Sequence, residues 1–327
     1  MRALQMTTPS ADSRATMVVE VDEPVPGPGE VAIDVAFAGV NFIDILARRG
    51  DPGYATGWPY VPGLEVAGTV RAVGAGVGEP RVGDRVAAFT AGGGLAEVAI
   101  ASAVLTVAAP PAVSLELAAA APLMLSTAVL LLESVARLRA GESVMMHSAA
   151  GGIGSAVPRV AAALGAGVRI GTVGSPAKVP GARAAGWDHV MPNDSSAASA
   201  IRALAPGGID VILDPTGTEN LDLDLAIAAP GARVVLFSNP GGGTPAALPP
   251  LGRLIGGNVG ILGFSISSLS RARPAAVGGA LRQSLGLLAD GEVLLDVTAV
   301  HGLEAVPDVH DLMAARRGSG KYVARVT

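Results

Sequence analysis

The 327-residue chain contains no cysteine. That single absence excludes disulfides, thiolate-bound zinc and a cysteine nucleophile. Charge is also sparse: 16% of residues are charged, the net charge is −5 and the pI is near 5.4. The charges are scattered, so nothing recruits nucleic acid or an anionic membrane. The four histidines, His147, His189, His301 and His310, lie far apart and show no metal-ligand spacing, so no metal is expected. The most apolar stretch, residues 117–132, is interrupted by Pro122, Ser126 and Thr127. It falls short of the ~20 apolar residues that a membrane span needs and reads as buried helix. The opening MRALQMTTPSAD lacks an apolar signal core, so export is not marked and a cytoplasmic location is expected. No internal repeat is present.

What is present is glycine and apolar surface. Half the residues are hydrophobic, and the length allows two domains with a sizeable core. The organising stretch is residues 142–174, ESVMMHSAAGGIGSAVPRVAAALGAGVRIGTVG. Residues 143–147 form an apolar run of strand length, 149–154 a glycine turn, 155–164 a small-residue helix and 168–173 a second apolar run. That order is a βαβ crossover. Ala149, Gly151 and Gly154 hold the G-x-G-x-x-G spacing with alanine in the first place. In this reading Gly151 and Gly152 allow a tight turn close to a ligand, and Gly154 allows the helix to pack against the strand. The unpartnered N–H groups and dipole of the helix start suit a pyrophosphate. In a chain with 44 glycines the pattern alone is weak, and the strand, helix and strand around it carry the inference. Pro158 lies beyond the first turn, where it threatens a kink.

An NAD site usually places a carboxylate about 20 residues after the glycine turn. Here the segment reads Thr172-Val173-Gly174-Ser175-Pro176-Ala177-Lys178, with no carboxylate to repel a 2′-phosphate. Ser175 can donate a hydrogen bond and Lys178 supplies positive charge. NADPH is therefore favoured over NADH.

Before residue 111 the segments are short and broken by glycine and proline. Residues 2–6, 31–37, 65–73, 85–89 and 96–100 read as strands of a mostly antiparallel β domain, and 43–49 reads as a helix. After a helical stretch at 115–138, six strands are expected at 143–147, 168–173, 189–191, 209–213, 233–237 and 259–264. Helices separate most of them, which predicts an α/β, doubly wound parallel sheet. The tail adds helices at 274–289 and 303–315 and strands at 297–300 and 322–326. It has too little core to stand alone and is expected to return to the first domain. The expected division is 1–121 completed by 267–327, around a nucleotide domain at 122–266. Residues 240–250 read as a flexible loop.

These residues resemble the medium-chain dehydrogenase/reductase superfamily, and within it the zinc-free NADPH:quinone oxidoreductases, the zeta-crystallin-like branch. The resemblance rests on Gly39-Val40-Asn41-Phe42-Ile43-Asp44 followed by Arg49-Gly50, on Pro62 to Gly68, on Gly83-Asp84-Arg85-Val86, on the glycine turn and on Gly320-Lys321. It implies a GroES-like β domain beside a Rossmann domain, with the active site in the cleft between them. Zinc-dependent members carry a cysteine early in the β domain and a histidine within Gly-His-Glu. Val40 or its neighbours stand at the cysteine's place here, and Leu64 at the histidine's. By the same resemblance Asn41 and Thr127 would lie at the nicotinamide, Gly151, Gly152, Ile153 and Gly154 at the pyrophosphate, and Gly174, Ser175 and Lys178 at the adenosine phosphate. Phe237, Ser238 and Asn239 would border the nicotinamide ribose, and Lys321 would join the cofactor set. Tyrosines usual in the substrate cleft are missing, with Leu46 near one of their places and Tyr54 and Tyr60 only nearby.

The resemblance implies hydride transfer from NADPH to a small apolar conjugated carbonyl compound, a quinone or an enone. Tyr54 is the candidate proton donor, with solvent water as the alternative. An enoyl reductase acting on an acyl or polyketide intermediate is the second reading, and a non-catalytic NADPH-bound scaffold the third. A homodimer is expected through the edge strand at 259–264, with neither nucleic acid nor a membrane as partner.

Overall fold

The computed structural model describes residues 1–242 and 244–327. The chain divides into two units, Met1–Thr127 with Ile266–Thr327, and Ala128–Ser265. Thr127 is thus the last residue of the first unit before the chain enters the second.

The strands, in chain order, begin with β1 (Arg2–Met6), β2 (Thr16–Glu20), β3 (Glu30–Val40), β4 (Glu65–Val73), β5 (Arg85–Phe89), β6 (Val98–Ser102) and β7 (Thr106–Ala108). In the second unit follow β8 (Val144–Met146), β9 (Arg169–Val173), β10 (His189–Pro192), β11 (Ile209–Asp214), β12 (Ala228–Leu236) and β13 (Gly260–Gly263). The chain closes with β14 (Val297–His301) and β15 (Lys321–Arg325). β2 and β7 were not legible from alternation, and both are short pairing partners whose side chains carry no clear period. The helix Ile266–Ala272 was likewise not expected.

In the first unit β1 and β2 form a hairpin ladder, and a seven-stranded sheet runs β14-β15-β3-β4-β5-β7, with β6 also pairing to β3. The pairing is antiparallel except between β14 and β15. β15 pairs with β3 across nearly three hundred residues of chain, and that is how the tail is recruited to the first unit. The core of this sheet is small and branched, with Val31, Ile33, Val35, Val66, Val70 and Val323 all essentially inaccessible.

In the second unit six parallel strands stand in the order β10-β9-β8-β11-β12-β13, the doubly wound arrangement. Strand order reverses between β8 and β11, so the carboxyl ends of these two strands flank a crevice. β8, β9 and β11 are apolar on both faces, as a sheet covered by helices on both sides requires. The loop expected over 240–250 includes Gly243, which lies outside the described residues. Residues 244–250 form neither helix nor strand.

The helical stretch expected at 115–138 is segmented. A single turn, Leu115–Ala118, gives way to a π-helical turn, Ala121–Leu125, then Ser126–Val129 and a second π turn, Leu130–Val135. Pro122 sits at the start of the first π turn, where its missing N–H costs nothing. Among the described residues no helix is long and apolar enough to cross a membrane.

Candidate active site

The glycine turn joins β8 to the helix Gly152–Ala163. Its left-handed residue is Ser148, at φ 57°, while Gly151 is extended at φ −78° and ψ 176°. The left-handed position thus falls three residues before Gly151, on a serine, and the Gly151 N–H closes the turn on the Ser148 carbonyl at 2.9 Å. Gly154 behaves as expected: a Cβ there would lie 2.5 Å from the Ser148 carbonyl oxygen and 2.7 Å from the Ala149 carbonyl carbon. Only glycine lets the helix start approach the turn this closely. Gly151, as cap residue, has no side chain to satisfy the first helical N–H groups, those of Gly152, Ile153 and Gly154. Such unpartnered donors, together with the helix dipole, suit an anion.

Pro158 does not end this helix, which continues to Ala163. A proline removes the N–H that would reach the carbonyl four residues back, here that of Gly154. The Trp187 indole N–H donates to that carbonyl oxygen at 2.8 Å and lies 3.3 Å from the Ala149 carbonyl oxygen. A buried aromatic from beyond β9 thus repairs the helix that the proline interrupts. This compensation had no local signal in sequence.

At the end of β9, Gly174 has open space around it, and Ser175 precedes a short turn, Pro176–Lys178, in which the Lys178 N–H donates to the Ser175 carbonyl at 3.1 Å. No carboxylate lies between Val173 and Lys178. At the end of β11, Asp214 Oδ1 accepts from the Thr216 N–H at 2.7 Å and from Thr216 Oγ1 at 2.5 Å, and Asn220 Nδ2 donates to Thr216 Oγ1 at 2.8 Å. Residues 237–239 follow β12. The Phe237 N–H donates to the Asp214 carbonyl at 3.1 Å, and the Asn239 side chain closes on Gly217. The glycine turn and residues 174–178, 214–217 and 237–239 therefore all follow carboxyl ends of strands in one parallel sheet.

Sequence reading missed the residues beneath these turns. His147 and Asp224 are buried, with ring Nδ1 2.7 Å from Thr172 Oγ1 and Nε2 2.9 Å from Asp224 Oδ1. One atom each of His147, Asp214 and Asp224 lie within 4.8 Å of one another. The four histidines show no ligand spacing in sequence, yet folding brings His147 to two aspartates from β11 and the helix Leu221–Ile227. His147 closes an apolar run and was readable as a polar strand end. Asp224 was not, because Leu-Asp-Leu-Asp-Leu gives no sign of which acid turns inward. Burial is the largest cause of a raised Asp224 pKa, about 6, with the His147 hydrogen bond and charge acting against it and Asp214 adding to it.

In the first unit, Asn41 precedes the helix Phe42–Arg49 and is nearly inaccessible. The Asp44 carboxylate accepts from the Asn41 N–H at 2.8 Å and the Gly63 N–H at 3.2 Å. Asn41 Nδ2 donates to Glu65 Oε1 at 2.9 Å and to the Gly39 carbonyl at 3.2 Å, while Oδ1 accepts from Lys321 Nζ at 2.6 Å. Lys321 Nζ also donates to the Val40 carbonyl at 3.0 Å and pairs with Glu65 at 2.5 Å. The second Glu65 oxygen accepts from the Leu123 N–H at 2.7 Å, at the first π turn. A Cβ on Gly39 would lie 2.3 Å from Glu65 Oε1, so glycine makes room for this carboxylate.

The three ammonium donors of Lys321 are used within the first unit, on the Val40 carbonyl, Asn41 and Glu65. Val40 and Leu64, where zinc-dependent relatives carry cysteine and histidine, are buried and apolar and can ligate nothing. Thr127 is 2% exposed, and its Oγ1 has no hydrogen-bond partner among the described residues. Tyr54 packs beside Met6, Ala47 and Tyr60. Burial first, then the nearby Asp51 charge, raises its pKa, so the phenol keeps its proton and can donate it. Burial, with Asp44 nearby, pushes Tyr60 to about 12. Leu46 is 2% exposed and so cannot line an open substrate surface in this unit.

Comparison with known proteins follows the same division. An alcohol dehydrogenase GroES-like domain model matches residues 27–111, and a zinc-binding dehydrogenase model matches 152–281. The quinone oxidoreductase of Pseudomonas aeruginosa is 33% identical over 91% of this chain and 91% of its own length. A mycocerosic acid synthase-like polyketide synthase of Mycobacterium tuberculosis is 31% identical over 99% of this chain, which spans 15% of that longer protein. Among solved structures, a mycobacterial protein complexed with NADPH superposes with a TM-score of 0.89 at 31% identity, covering 99% of each chain. The GroES-like sheet, the six-stranded parallel sheet with its glycine turn and this likeness over the whole length agree: the chain belongs to the medium-chain dehydrogenase/reductase superfamily, in its quinone oxidoreductase branch.

Proposed function

We propose that this protein is a zinc-independent, NADPH-dependent reductase of small apolar conjugated carbonyl compounds, quinones or enones. Membership of the family carries the coarser part, an NAD(P)H oxidoreductase. The observation that carries the cofactor choice is the uncapped helix start at Gly151, followed by a second strand whose end offers Ser175 and Lys178 and no carboxylate. The N–H groups of Gly152, Ile153 and Gly154 would hold the pyrophosphate, Gly174, Ser175 and Lys178 the adenosine phosphate, and Phe237, Ser238 and Asn239 the nicotinamide ribose. When bound, the reduced nicotinamide supplies a hydride.

The chain's own residues supply orientation and hydrogen bonds. Thr127 offers a buried hydroxyl with no internal partner, suited to a bound ligand. Asn41 is held rigid by Lys321 and Glu65 and shapes the site without titrating. Tyr54 retains a phenolic proton that it can give to the carbon left by hydride addition, with solvent as the other source. Hydrogen bonds to the developing enolate oxygen lower the barrier most when they are aimed in advance. With Val40 and Leu64 at the metal-ligand positions there is no Lewis acid to lower an alcohol's pKa, which favours reduction of an electron-poor acceptor over alcohol oxidation.

Nicotinamide fluorescence during titration with NADPH and NADH tests the cofactor, with Lys178→Ala alongside. Tight NADPH binding that weakens selectively in the variant is expected. Stopped-flow mixing of the NADPH-loaded protein with quinones and enones then tests the substrate class, and no cofactor oxidation by any of them would sink it. Similarity to a polyketide synthase segment favours a second reading, reduction of an enoyl thioester. Faster cofactor oxidation by an enoyl thioester than by any quinone would select that reading.

We propose also that the protein is a homodimer through β13. This strand is the sheet edge, its Ile261 and Leu262 are only half-buried, and Leu251 and Ile255 beside it are 70% and 67% exposed. Sedimentation as a monomer at micromolar concentration would remove this proposal.

A further inference from the structure

Beneath the nucleotide end of the second unit, hydrogen-bond acceptors outnumber donors. Asp214 and Asp224 are both wholly inaccessible, and each leaves one oxygen, Oδ2, with no partner among the described residues. The other oxygens are occupied. Asp214 Oδ1 accepts from Thr216 N–H and Oγ1–H, and Asp224 Oδ1 lies 2.9 Å from His147 Nε2. One atom each of Asp214 and Asp224 lie within 4.8 Å of one another, and two neighbouring buried carboxyl groups cannot both ionise cheaply, so the two bare oxygens lack a proton.

We propose that one proton held between Asp224 Oδ2 and Asp214 Oδ2 completes a hydrogen-bond chain that runs from Thr172 to Asp214 and there meets the Thr216 donors, and that loss of this proton loosens the nucleotide-binding turns. Thr172 Oγ1–H donates to His147 Nδ1, His147 Nε2–H to Asp224 Oδ1, and Asp224 Oδ2–H to Asp214 Oδ2. Asp214 Oδ1 accepts from Thr216. Each of these polar atoms then has a partner, with Asp214 Oδ1 against the two Thr216 donors.

The relay touches the turns that matter. His147 directly precedes Ser148, the Ala149 N–H donates to the Thr172 carbonyl at 2.9 Å, and the Asp214 carbonyl receives the Phe237 N–H. The proton therefore stands between the glycine turn, the 214–217 turn and the start of 237–239. The raised affinity of Asp224 for its proton agrees in direction.

The charged groups on neighbouring elements are engaged elsewhere. Arg202, on the helix Ala197–Leu204, donates to the Ala226 carbonyl, and Arg233, on β12, pairs with Glu142. Asp222, on the same helix as Asp224, is exposed and pairs with Arg253. His147 and Asp214 are the titratable groups that act on Asp224.

Asp224→Asn tests the relay, because an amide at this place accepts from His147 and donates permanently to Asp214. The unfolding midpoint of the ligand-free protein, which does not depend on the proposed cofactor, is measured from pH 5 to pH 8. The wild-type midpoint is expected to fall relative to the variant as pH rises, and Asp214→Asn, which removes the other charge, is expected to flatten the same slope. The second arm rests on the proposed cofactor reading. The NADPH dissociation constant of the wild type should rise several-fold relative to that of Asp224→Asn over this range, the titration of the 2′-phosphate itself cancelling between the two proteins. Parallel midpoint curves for wild type and both variants would overturn the relay. So would a wild-type midpoint that rises with added zinc and falls with chelator, because a cation would then hold the two oxygens. A flattened midpoint without NADPH binding would leave the relay standing and remove the cofactor reading alone.

Discussion

The two units bury polar clusters of similar size and opposite design. In the first, Glu65 meets Lys321, and the surrounding Asn41 amide and the Leu123 N–H complete a closed set of donors and acceptors. In the second, Asp214, Asp224 and His147 sit together with no fixed cation and two bare oxygens. The first cluster pairs its carboxylate with a buried ammonium. The second is balanced by protonation. A buried ion pair makes a rigid strut, and an acid pair makes a support whose strength depends on pH.

The largest effect should come from breaking the strut. Lys321→Met leaves Glu65 buried beside Asn41 without a cation and should cost on the order of 3–5 kcal/mol in urea unfolding. Adding Glu65→Leu should restore part of the loss, since a buried pair is replaced by apolar side chains more easily than it is halved. A single variant as stable as the wild type would mean that water reaches Glu65 and that the contrast between the units is false.

The acid pair should show itself next. A carboxyl whose pKa is raised in the folded state favours folding fully below its unfolded value, and that advantage is lost as pH rises through the folded value. For Asp224, raised from 3.8 to about 6, stability should fall between about pH 4 and pH 7 by roughly 3 kcal/mol relative to Asp224→Asn. Lys321→Met should leave that slope in place, because it lies in the other unit.

The smallest expected effect tests how the second unit supplies donors to its own backbone. Trp187→Phe keeps the ring and removes the N–H that reaches the Gly154 carbonyl. About 1–2 kcal/mol of stability should be lost. Pairing it with Pro158→Ala, which returns a backbone N–H to the same carbonyl, should recover most of the loss. Absence of recovery would mean that Trp187 acts through its packing alone.

Much of this molecule was readable along the chain. β1, β4, β5 and the helix Pro274–Ala289 have the bounds that alternation, apolar period and turn residues indicate. The six parallel strands were equally plain, because each centres on a short apolar run, most buried in β8 and β11. The glycine turn was found as a motif, but its mechanics were not. The left-handed backbone falls on Ser148, ahead of the Gly151 and Gly152 read as the tight turn, since spacing does not say which residue reverses the chain. Lys321 was recognised as a landmark and placed in the cofactor set, but its contacts with Asn41 and Glu65 were not legible. Its ammonium lies next to Asn41 only because β15 pairs with β3, a register that no local pattern encodes.

The sequence by itself determined the composition of two domains, the absence of thiol chemistry, the apolar residues at the expected metal positions and the glycine turn between strand and helix. Each of these follows from residue identity or from spacing within one segment. The tertiary structure decided which polar groups share a pocket: Glu65 with Lys321, Trp187 with the carbonyl that Pro158 leaves bare, and His147 with Asp214 and Asp224. Such pairings join residues tens to hundreds apart, and their energies depend on burial, which exists only once the chain has closed around them.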